Sequence, residues 1–388
     1  MKKILTLFGT RPEAIKMGPI IKMALQMPHD FSLVTCVTGQ HRKMLDQILD
    51  VFNIYPDYDL NVMTNDQTLE SLTSRVLTSV HPVLRDCEPD IVLVQGDTTT
   101  TFAAALSAFC QQVPLGHVEA GLRTYDLRAP FPEEMNRQLT SRIASYHFAP
   151  TERERQNLIE ERIPAHRIMV TGNTVIDALF MILGKIRRDS DFEDHVIKKI
   201  QNAGLSLSLR GGQGKLILVT GHRRESFGKG FQNICTALKE VASRFSDVDI
   251  IYPVHLNPKV RKPVSALLKD LPNVHLIEPV DYEAFVYLMS KAHLIITDSG
   301  GVQEEAPSLG KPVLLMREIT ERPAGVDAGT VKIVGTEPKV IVDCTTRLLM
   351  DPEAYKDMIK QYNPYGDGHA AERILDFIQH LPPRRLHS

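Results

Sequence analysis

The chain has 388 residues, 43% of them hydrophobic and 24% charged, the make-up of a globular protein with two or three domains of about 150 residues each. Its 45 basic and 47 acidic side chains leave a formal net charge of -2, which supplies no electrostatic drive toward nucleic acid or a membrane surface. The five cysteines (Cys36, Cys87, Cys110, Cys235 and Cys344) are odd in number and contain no CxxC pair, against both a disulfide framework and a zinc site.

At the start, Met1-Lys2-Lys3 leads directly into the apolar run Ile4–Phe8. That run is too short for a signal-peptide core and ends in a glycine turn. No stretch approaches the roughly 18 apolar residues of a membrane span, so a cytoplasmic location is expected. Short Val/Ile/Leu runs predict strands at Ile4–Phe8, Leu33–Val37, Ile91–Gln95, Leu115–Val118 and Ile168–Thr171. A second set is predicted at Leu216–Thr220, Ile250–Val254, Val274–Ile277, Leu294–Thr297 and Val313–Met316. Most of these runs are continuously apolar, as in parallel strands covered by helices on both faces. Longer amphipathic stretches between them complete βαβ units.

Between the two sets lies a charged, helical stretch from about Asp177 to Gly214, which contains the turn Gly211-Gly212-Gln213-Gly214. The expected fold class is therefore α/β, with two doubly wound, Rossmann-like domains. Residues 1–172 form the first and 173–367 the second. The segment 368–388 has helical periodicity at Ala370–His380 and is expected to rejoin the first domain.

Ligands of open α/β sheets sit beyond the carboxyl ends of the strands, and these places are rich in polar residues here. The first strand runs into Gly9-Thr10-Arg11-Pro12-Glu13-Ala14-Ile15-Lys16. Glycine permits a tight turn, Pro12 suits a first helical turn, and the free N–H groups favour an anion. Arg11 and Lys16 add positive charge. This is no GxGxxG fingerprint, so a nicotinamide site is not supported. The strand at Ile91 leads to Gly96-Asp97 and four threonines. Asp97 is either a helix N-cap or a ligand group. Glu119 directly follows a buried strand, and Glu133 opens a helix with Glu134. Glu133 and Glu134 either complement the helix dipole or join Asp97 and Glu119 in a set of carboxylates that divides acid and base roles.

In the second half, Thr220-Gly221-His222-Arg223-Arg224 forms another basic turn, and His255 ends a strand, where a structural role is the commoner one. The strongest single element is Thr297-Asp298-Ser299-Gly300-Gly301-Val302-Gln303-Glu304-Glu305. Its two glycines let the backbone approach a ligand, and its helix start offers amides to a phosphate. Glu304 or Glu305, one turn on, is placed to accept hydroxyl hydrogens from a ribose. A nucleotide held by the second domain would present its attached group to the first domain's acids, in a cleft between the two.

Several ordered motifs together resemble the bacterial non-hydrolysing UDP-N-acetylglucosamine 2-epimerases over essentially the whole chain. They are FGTRPEAIKM (Phe8–Met17), GDTTTT (Gly96–Thr101), GHVEAGLRT (Gly116–Thr124), PEEMNRQLT (Pro132–Thr140) and VTGNTVIDAL (Val170–Leu179). They continue with VTGHRRESFG (Val219–Gly228), YPVHLNP (Tyr252–Pro258), TDSGGVQEEAPSLGKPVL (Thr297–Leu314) and NPYGDG (Asn363–Gly368). The resemblance implies a glycosyltransferase-B-like architecture with the active site in the interdomain cleft. It implies interconversion of UDP-N-acetylglucosamine and UDP-N-acetylmannosamine, feeding cell-surface polysaccharides. By the same resemblance Arg11, Lys16, Asp97, Glu119, Glu133 and His222 are active-site residues. Ser299, Gly300, Gly301 and Glu305 bind the UDP part, with His255 lining that cleft. UDP-N-acetylglucosamine is also expected as an activator beside Gln40-His41-Arg42, and a homodimer is expected.

The C2–H of such a sugar is a poor acid. Breaking the C1–O bond to UDP first would acidify it and give a 2-acetamidoglucal, and UDP would then add back after protonation on the other face. No hydride moves, so no cofactor is expected, and no metal. The alternatives are a hydrolysing epimerase, a glycosyltransferase of the same architecture, and a sugar-nucleotide sensor without turnover.

Overall fold

A computed structural model describes residues 1–40, 42–64, 67–206, 214–359 and 362–382. His41, the Gly211-Gly212-Gln213 part of the expected turn and the last six residues of segment 368–388 lie outside them. The chain divides into two compact units. One runs from Met1 to Ala178 and includes the segment starting at Tyr365; the other is Leu179–Pro364. The division falls inside the helix Thr174–Arg188, later in the chain than the glycine turn at Gly172.

The first unit holds β1 (Lys2–Phe8), β2 (Phe31–Val37), β3 (Tyr58–Asp59), β4 (Ile91–Gln95), β5 (Leu115–Val118), β6 (Tyr146–Ala149) and β7 (Ile168–Val170). They form one parallel sheet in the order β3-β2-β1-β4-β5-β6-β7. The second unit holds β8 (Lys215–Thr220), β9 (Val248–Pro253), β10 (Val274–Ile277), β11 (Leu294–Thr297), β12 (Val313–Leu315) and β13 (Val331–Ile333). Their order is β10-β9-β8-β11-β12-β13, again parallel. Both units are therefore doubly wound α/β sheets. In each, the chain starts in the middle, builds outward to one edge, then returns to build the other. The strand order reverses between β1 and β4, and between β8 and β11. At such a switch point the two adjacent strand-end turns lead away in opposite directions and leave a crevice.

The strands form where they do because their side chains are buried on both sides. Every residue of Ile91–Gln95 is buried, as is Leu216–Val219. Helices supply the covering layers with period-3.6 apolar faces. In the helix Arg11–Leu25, for example, Met17, Ile20, Ile21 and Ala24 are all buried. One core gathers Leu5, Leu7, Val92 and Val94 against Val76, Val80, Ala104 and Ala108. The other gathers Ile217, Val219, Ile250 and Ile296 against Phe231, Ile234, Leu238 and Val241. At about 1.5–3 kcal/mol per large apolar side chain, these cores are the main stabilising term of each unit.

The helix Ala370–Gln379 completes the first unit. Phe377 sets its ring edge-on against Tyr146 and Phe148, with centroids 5.3 and 5.6 Å apart. Gly172 and Gly366 pass so closely that a Cβ on Gly172 would lie 3.3 Å from the Gly366 Cα, and Asn173 N–H donates to the Tyr365 carbonyl at 2.7 Å. Asp177 receives the exposed amides that start the terminal helix, Ala370 N–H at 3.2 Å and Ala371 N–H at 2.8 Å.

Burial raises the Asp177 carboxyl from 3.8 to about 6, although three backbone N–H groups oppose the shift. A raised folded-state value means that its contribution is fully present below the unfolded value and is lost as pH rises through about 6. Asp177→Asn keeps an acceptor for the helix amides but has no charge to bury. Relative to the native chain the variant should therefore gain about 2 kcal/mol on going from about pH 4.5 to about pH 7.5. Urea denaturation of both proteins at the two pH values measures this, and a stability difference that does not change with pH contradicts it.

Candidate active site

In the first unit the site is built on the turns beside the β1/β4 switch point. Gly9 has to be glycine, since a Cβ there would lie 1.9 Å from Thr38 Oγ1. Arg11 begins the following helix and makes no ion pair among the described residues. Glu13, buried at 1% exposure, turns back on the same loop. One oxygen accepts from Gly9 N–H at 3.0 Å and Thr10 N–H at 2.7 Å. The other accepts from the hydroxyls of Thr98 at 2.8 Å and Thr101 at 3.1 Å. One carboxylate thus ties the β1 turn to the β4 turn, and the threonine run gains a structural reason. Thr98, not Asp97, is the N-cap of the helix Thr99–Cys110. Asp97 is free for another role.

Lys16 and Glu119 come together across the switch point, with Lys16 Nζ 2.5 Å from Glu119 Oε1 and both side chains nearly buried. Asn173 Nδ2 donates to the same oxygen at 2.9 Å, and Gln95 Nε2 donates to Oε2. Glu119 takes up a left-handed backbone, φ +62°, a conformation that costs a non-glycine residue about 1–3 kcal/mol. Stepping out of the pleat there swings its carboxylate back toward Lys16 and Gln95. Asp97 lies close enough to feel the charges of Glu119, Glu133 and Lys16. Its Oδ2 is 2.6 Å from Arg137 Nη2. Burial raises the Asp97 carboxyl, Arg137 opposes that, and Glu119 and Glu133 add to it. Glu133 opens the helix Glu133–Ile143, and its Oε2 is buried with no hydrogen-bond partner among the described residues. Its neighbour Glu134 points elsewhere, accepting from the amides of Thr124 at 3.0 Å and Tyr125 at 3.1 Å. Beneath the Gly96 turn, burial lowers His117 to about 3, so its ring is neutral and Nε2–H donates to the Gly96 carbonyl at 2.7 Å.

Gln40 stands near this group, its Oε1 accepting from Thr100 at 3.2 Å. Arg42 instead pairs with Asp46 and Asp59 on an exposed surface. His41 is not among the described residues.

In the second unit the corresponding turns flank the β8/β11 switch point, where Thr220 and Thr297 share a hydroxyl–hydroxyl hydrogen bond of 2.7 Å. Asp298 is completely buried, and its Oδ2 accepts from His222 N–H at 2.7 Å and Arg223 N–H at 2.8 Å. The His222 ring lies with Nδ1 3.3 Å from Asp298 Oδ1. It stacks on His255 at 5.7 Å and 21° between planes. Asn257 N–H donates to His255 Nδ1 at 3.1 Å, which leaves the His255 proton on Nε2. Burial and the neighbouring His222 lower His255. Burial works against the Asp298 anion, yet the His222 ring and the two amides outweigh it and hold this carboxyl low.

Ser299 stands at the N-cap position of the short helix Gly300–Glu305 without a side-chain capping hydrogen bond. A Cβ on Gly300 would meet Arg322 Nη1 at 2.6 Å, so a guanidinium lies against this turn. Of the two glutamates, Glu304 is tied to Arg322 Nε at 2.5 Å. Glu305 Oε1 accepts from Tyr282 OH at 2.7 Å, and its Oε2 lies toward Gly301.

The residues expected from sequence thus fall into two constellations: Arg11, Lys16, Asp97, Glu119 and Glu133 in the first unit, and His222, His255, Ser299, Gly300, Gly301 and Glu305 in the second. Sequence reasoning missed Glu13, Gln95, Arg137, Asn173, Asp298 and Arg322. Four of these, Gln95, Asn173, Asp298 and Glu13, lie at or just after a strand end, and that position was their signal. Among the described residues no three His, Cys, Asp or Glu side chains are grouped to hold a metal ion. Among the described residues no helix is long and apolar enough to cross a membrane.

Comparison with known proteins agrees with this geometry. Residues 23–379 match the model of a family described as UDP-N-acetylglucosamine 2-epimerase. The UDP-N-acetylglucosamine 2-epimerase of Yersinia pestis is 55% identical over 97% of this chain and 98% of its own. The crystal structure of the Neisseria meningitidis UDP-GlcNAc 2-epimerase bound to UDP-GlcNAc superposes with a TM-score of 0.86. It has 50% identity over 97% of this chain and 99% of that one. MurG of Acinetobacter baumannii, at 16% identity and TM-score 0.61 over 98% of this chain and 100% of that one, shares the fold alone. With full-length likeness on both sequence and structure, the chain belongs to the UDP-N-acetylglucosamine 2-epimerase family.

Proposed function

We propose that the chain interconverts UDP-N-acetylglucosamine and UDP-N-acetylmannosamine by eliminating UDP, forming a 2-acetamidoglucal, and adding UDP back after protonation at C2. The observation that carries this reading is the group of three carboxylates, Asp97, Glu119 and Glu133, gathered with Lys16 at one switch point. Residues 1–172 supply the proton transfer, and residues 173–367 hold the UDP through Ser299, Gly300, Gly301 and Glu305. A glycosyltransferase of the same fold has no need to gather three acids in one unit. A hydrolysing epimerase would release the free sugar, and chromatography of the product separates that case.

The roles of the three acids differ because their surroundings do. Both oxygens of Glu119 are engaged, by Lys16, Asn173 and Gln95. It serves as a fixed anion that aims Lys16 at the leaving diphosphate. Asp97, whose burial raises it above an ordinary aspartate, and Glu133, whose Oε2 is unpartnered, take and return the C2 proton from opposite faces. Asp97, which holds its proton to higher pH than an ordinary aspartate, suits that duty. Arg11, Lys16, His222 and the amides at Ser299-Gly300 stabilise the charge that grows on the departing UDP, the largest catalytic term in most such reactions. No hydride moves, so this route calls for no redox cofactor.

A second molecule of UDP-N-acetylglucosamine acts as activator at Gln40-His41-Arg42. Releasing Arg42 from its exposed ion pairs with Asp46 and Asp59 costs about 1 kcal/mol or less. A homodimer, a cytoplasmic location and the supply of N-acetylmannosamine units for cell-surface polysaccharide belong to the same reading and rest on the family resemblance.

In heavy water both epimers should acquire deuterium at C2, as mass spectrometry would record; full retention of the original C2 hydrogen refutes elimination. Replacing Asp97, Glu119 or Glu133 by its amide should lower turnover by about 100-fold or more, and near-normal rates for all three amides would show that other groups move the proton. The activator makes the rate sigmoidal in UDP-N-acetylglucosamine. A ~100-fold preference for the active state shifts its population by up to about 2.7 kcal/mol. Reaction from UDP-N-acetylmannosamine alone should then be slow until some of the other epimer is present. Hyperbolic progress in both directions, with no lag, removes the activator and leaves the catalytic assignment standing.

A further inference from the structure

Asp298 is the residue in the second unit whose environment asks most for explanation. It is fully buried, and burying a carboxylate is costly unless its oxygens are paired. Only Oδ2 is: it accepts the amides of His222 and Arg223. Oδ1 has no hydrogen-bond partner among the described residues and faces His222 Nδ1 at 3.3 Å. That contact is longer and less well aligned than a hydrogen bond, and a turn of the ring about its last side-chain bond closes it. No described residue binds His222 Nε2, and the side chain is 44% exposed. Among the described residues His255 stacks on the ring, and its own Nδ1 is already taken by Asn257 N–H.

We propose that Asp298 is a positioning residue, which fixes His222 in the tautomer and orientation that carry a hydrogen on Nδ1 and turn Nε2 toward the diphosphate of the substrate. The inference rests on the epimerase reading for its chemistry, but its geometry belongs to the second unit alone. One carboxylate oxygen sets the backbone of the turn and the other sets the ring. Before UDP leaves, Nε2 takes a proton from solvent; the ring then gives that proton from Nε2 to the departing phosphate oxygen and returns to the Nδ1–H form, and throughout Asp298 accepts from Nδ1–H and balances the ring's charge. Such contacts commonly tighten only when the ligand is bound. The same carboxylate cannot be replaced by an amide without a consequence. Asparagine at 298 keeps an oxygen for the two backbone N–H groups. It then has to present its NH2 to Nδ1, which turns Nδ1 into an acceptor and places the ring hydrogen on Nε2, so that Nε2 can no longer take up the proton it must deliver and no carboxylate balances a charged ring.

The test compares the native protein, Asp298→Asn and Asp298→Glu. Nitrogen NMR of uniformly labelled protein without ligand, at mildly basic pH, reports the His222 tautomer, with its signal assigned by loss in His222→Asn. The native ring should carry its hydrogen on Nδ1, and Asp298→Asn should shift it to Nε2 while the melting temperature stays within a few degrees. In the epimerase assay Asp298→Asn should lose about 100-fold or more in kcat, by analogy with other oriented histidines, with KM changed much less. Asp298→Glu, which restores a carboxylate, should recover part of that loss. An unchanged tautomer with native kcat in Asp298→Asn overturns the proposal. So does a fall in kcat that tracks a fall in melting temperature and is matched by Asp298→Glu. A native protein that shows the expected tautomer but no epimerisation leaves the positioning intact and removes the functional reading instead.

Discussion

The first unit's chemistry hangs on one buried carboxylate, Glu13. Its two oxygens receive the amides of Gly9 and Thr10 and the hydroxyls of Thr98 and Thr101. Taking an ionised carboxylate out of water costs several kcal/mol, and burial does raise this one. Four donors offset that cost only while all of them converge, so the loop after β1 and the loop after β4 are held in a single arrangement. Lys16 sits one turn along the helix that Glu13 helps to start, and Asp97 immediately precedes Thr98. If the Glu13 contacts were lost, the groups meant for substrate would lose their spacing first.

Asp298 repeats the device in the second unit. A buried acceptor at the end of β11 collects the amides of the turn after β8, across the switch point where the strand order reverses. The two units share no visible sequence repeat, yet each meets the same physical problem. At a switch point two turns diverge, and each exposes backbone N–H groups that have no strand partner. Some of those groups have to be satisfied internally so that the others can be offered to a ligand. A carboxylate, which only accepts, does this without competing for the phosphate oxygens that the free amides and basic side chains are meant to bind. This explains why acidic residues stand inside sites that also have to hold an anion.

How much of this was legible in the sequence follows from what each signal depends on. Strands such as Ile91–Gln95 and Leu294–Thr297 were read to the residue because they are buried on both faces, and burial alone writes a continuous apolar run. Tyr146–Ala149 escaped because its residues Tyr-His-Phe-Ala carry a histidine that is satisfied only by a tertiary contact, Nε2 with the Ser141 carbonyl at 2.9 Å. Val331–Ile333 and Tyr58–Asp59 are short edge strands, with too few residues to show a period. At the site, residue type and place after a strand picked out Asp97, Glu119 and His222. They could not show that Asp97 yields the N-cap to Thr98, or that Glu304 is spent on Arg322. The first turns on which of two adjacent residues reaches the helix amides, Thr98 Oγ1 accepting from Thr101 N–H, and the second on a pair 18 residues apart; residue type and local pattern settle neither.

The acids also show why such a site has to be mounted on a large core. Glu119 holds a left-handed backbone, Asp97 is a carboxyl raised by burial, and Glu133 Oε2 is buried unpartnered. The backbone of Glu119 and the unpartnered oxygen of Glu133 each cost about 1–3 kcal/mol. None would persist in a loop free to relax. Glu119 stays because Lys16, Gln95 and Asn173 over-determine it, and those three come from the first helix, from β4 and from the turn after β7. The strain is therefore spread across the sheet. A group that is ready to exchange a proton is one that the fold has left incompletely satisfied. The apolar layers over both faces of the sheet allow the protein to keep it so.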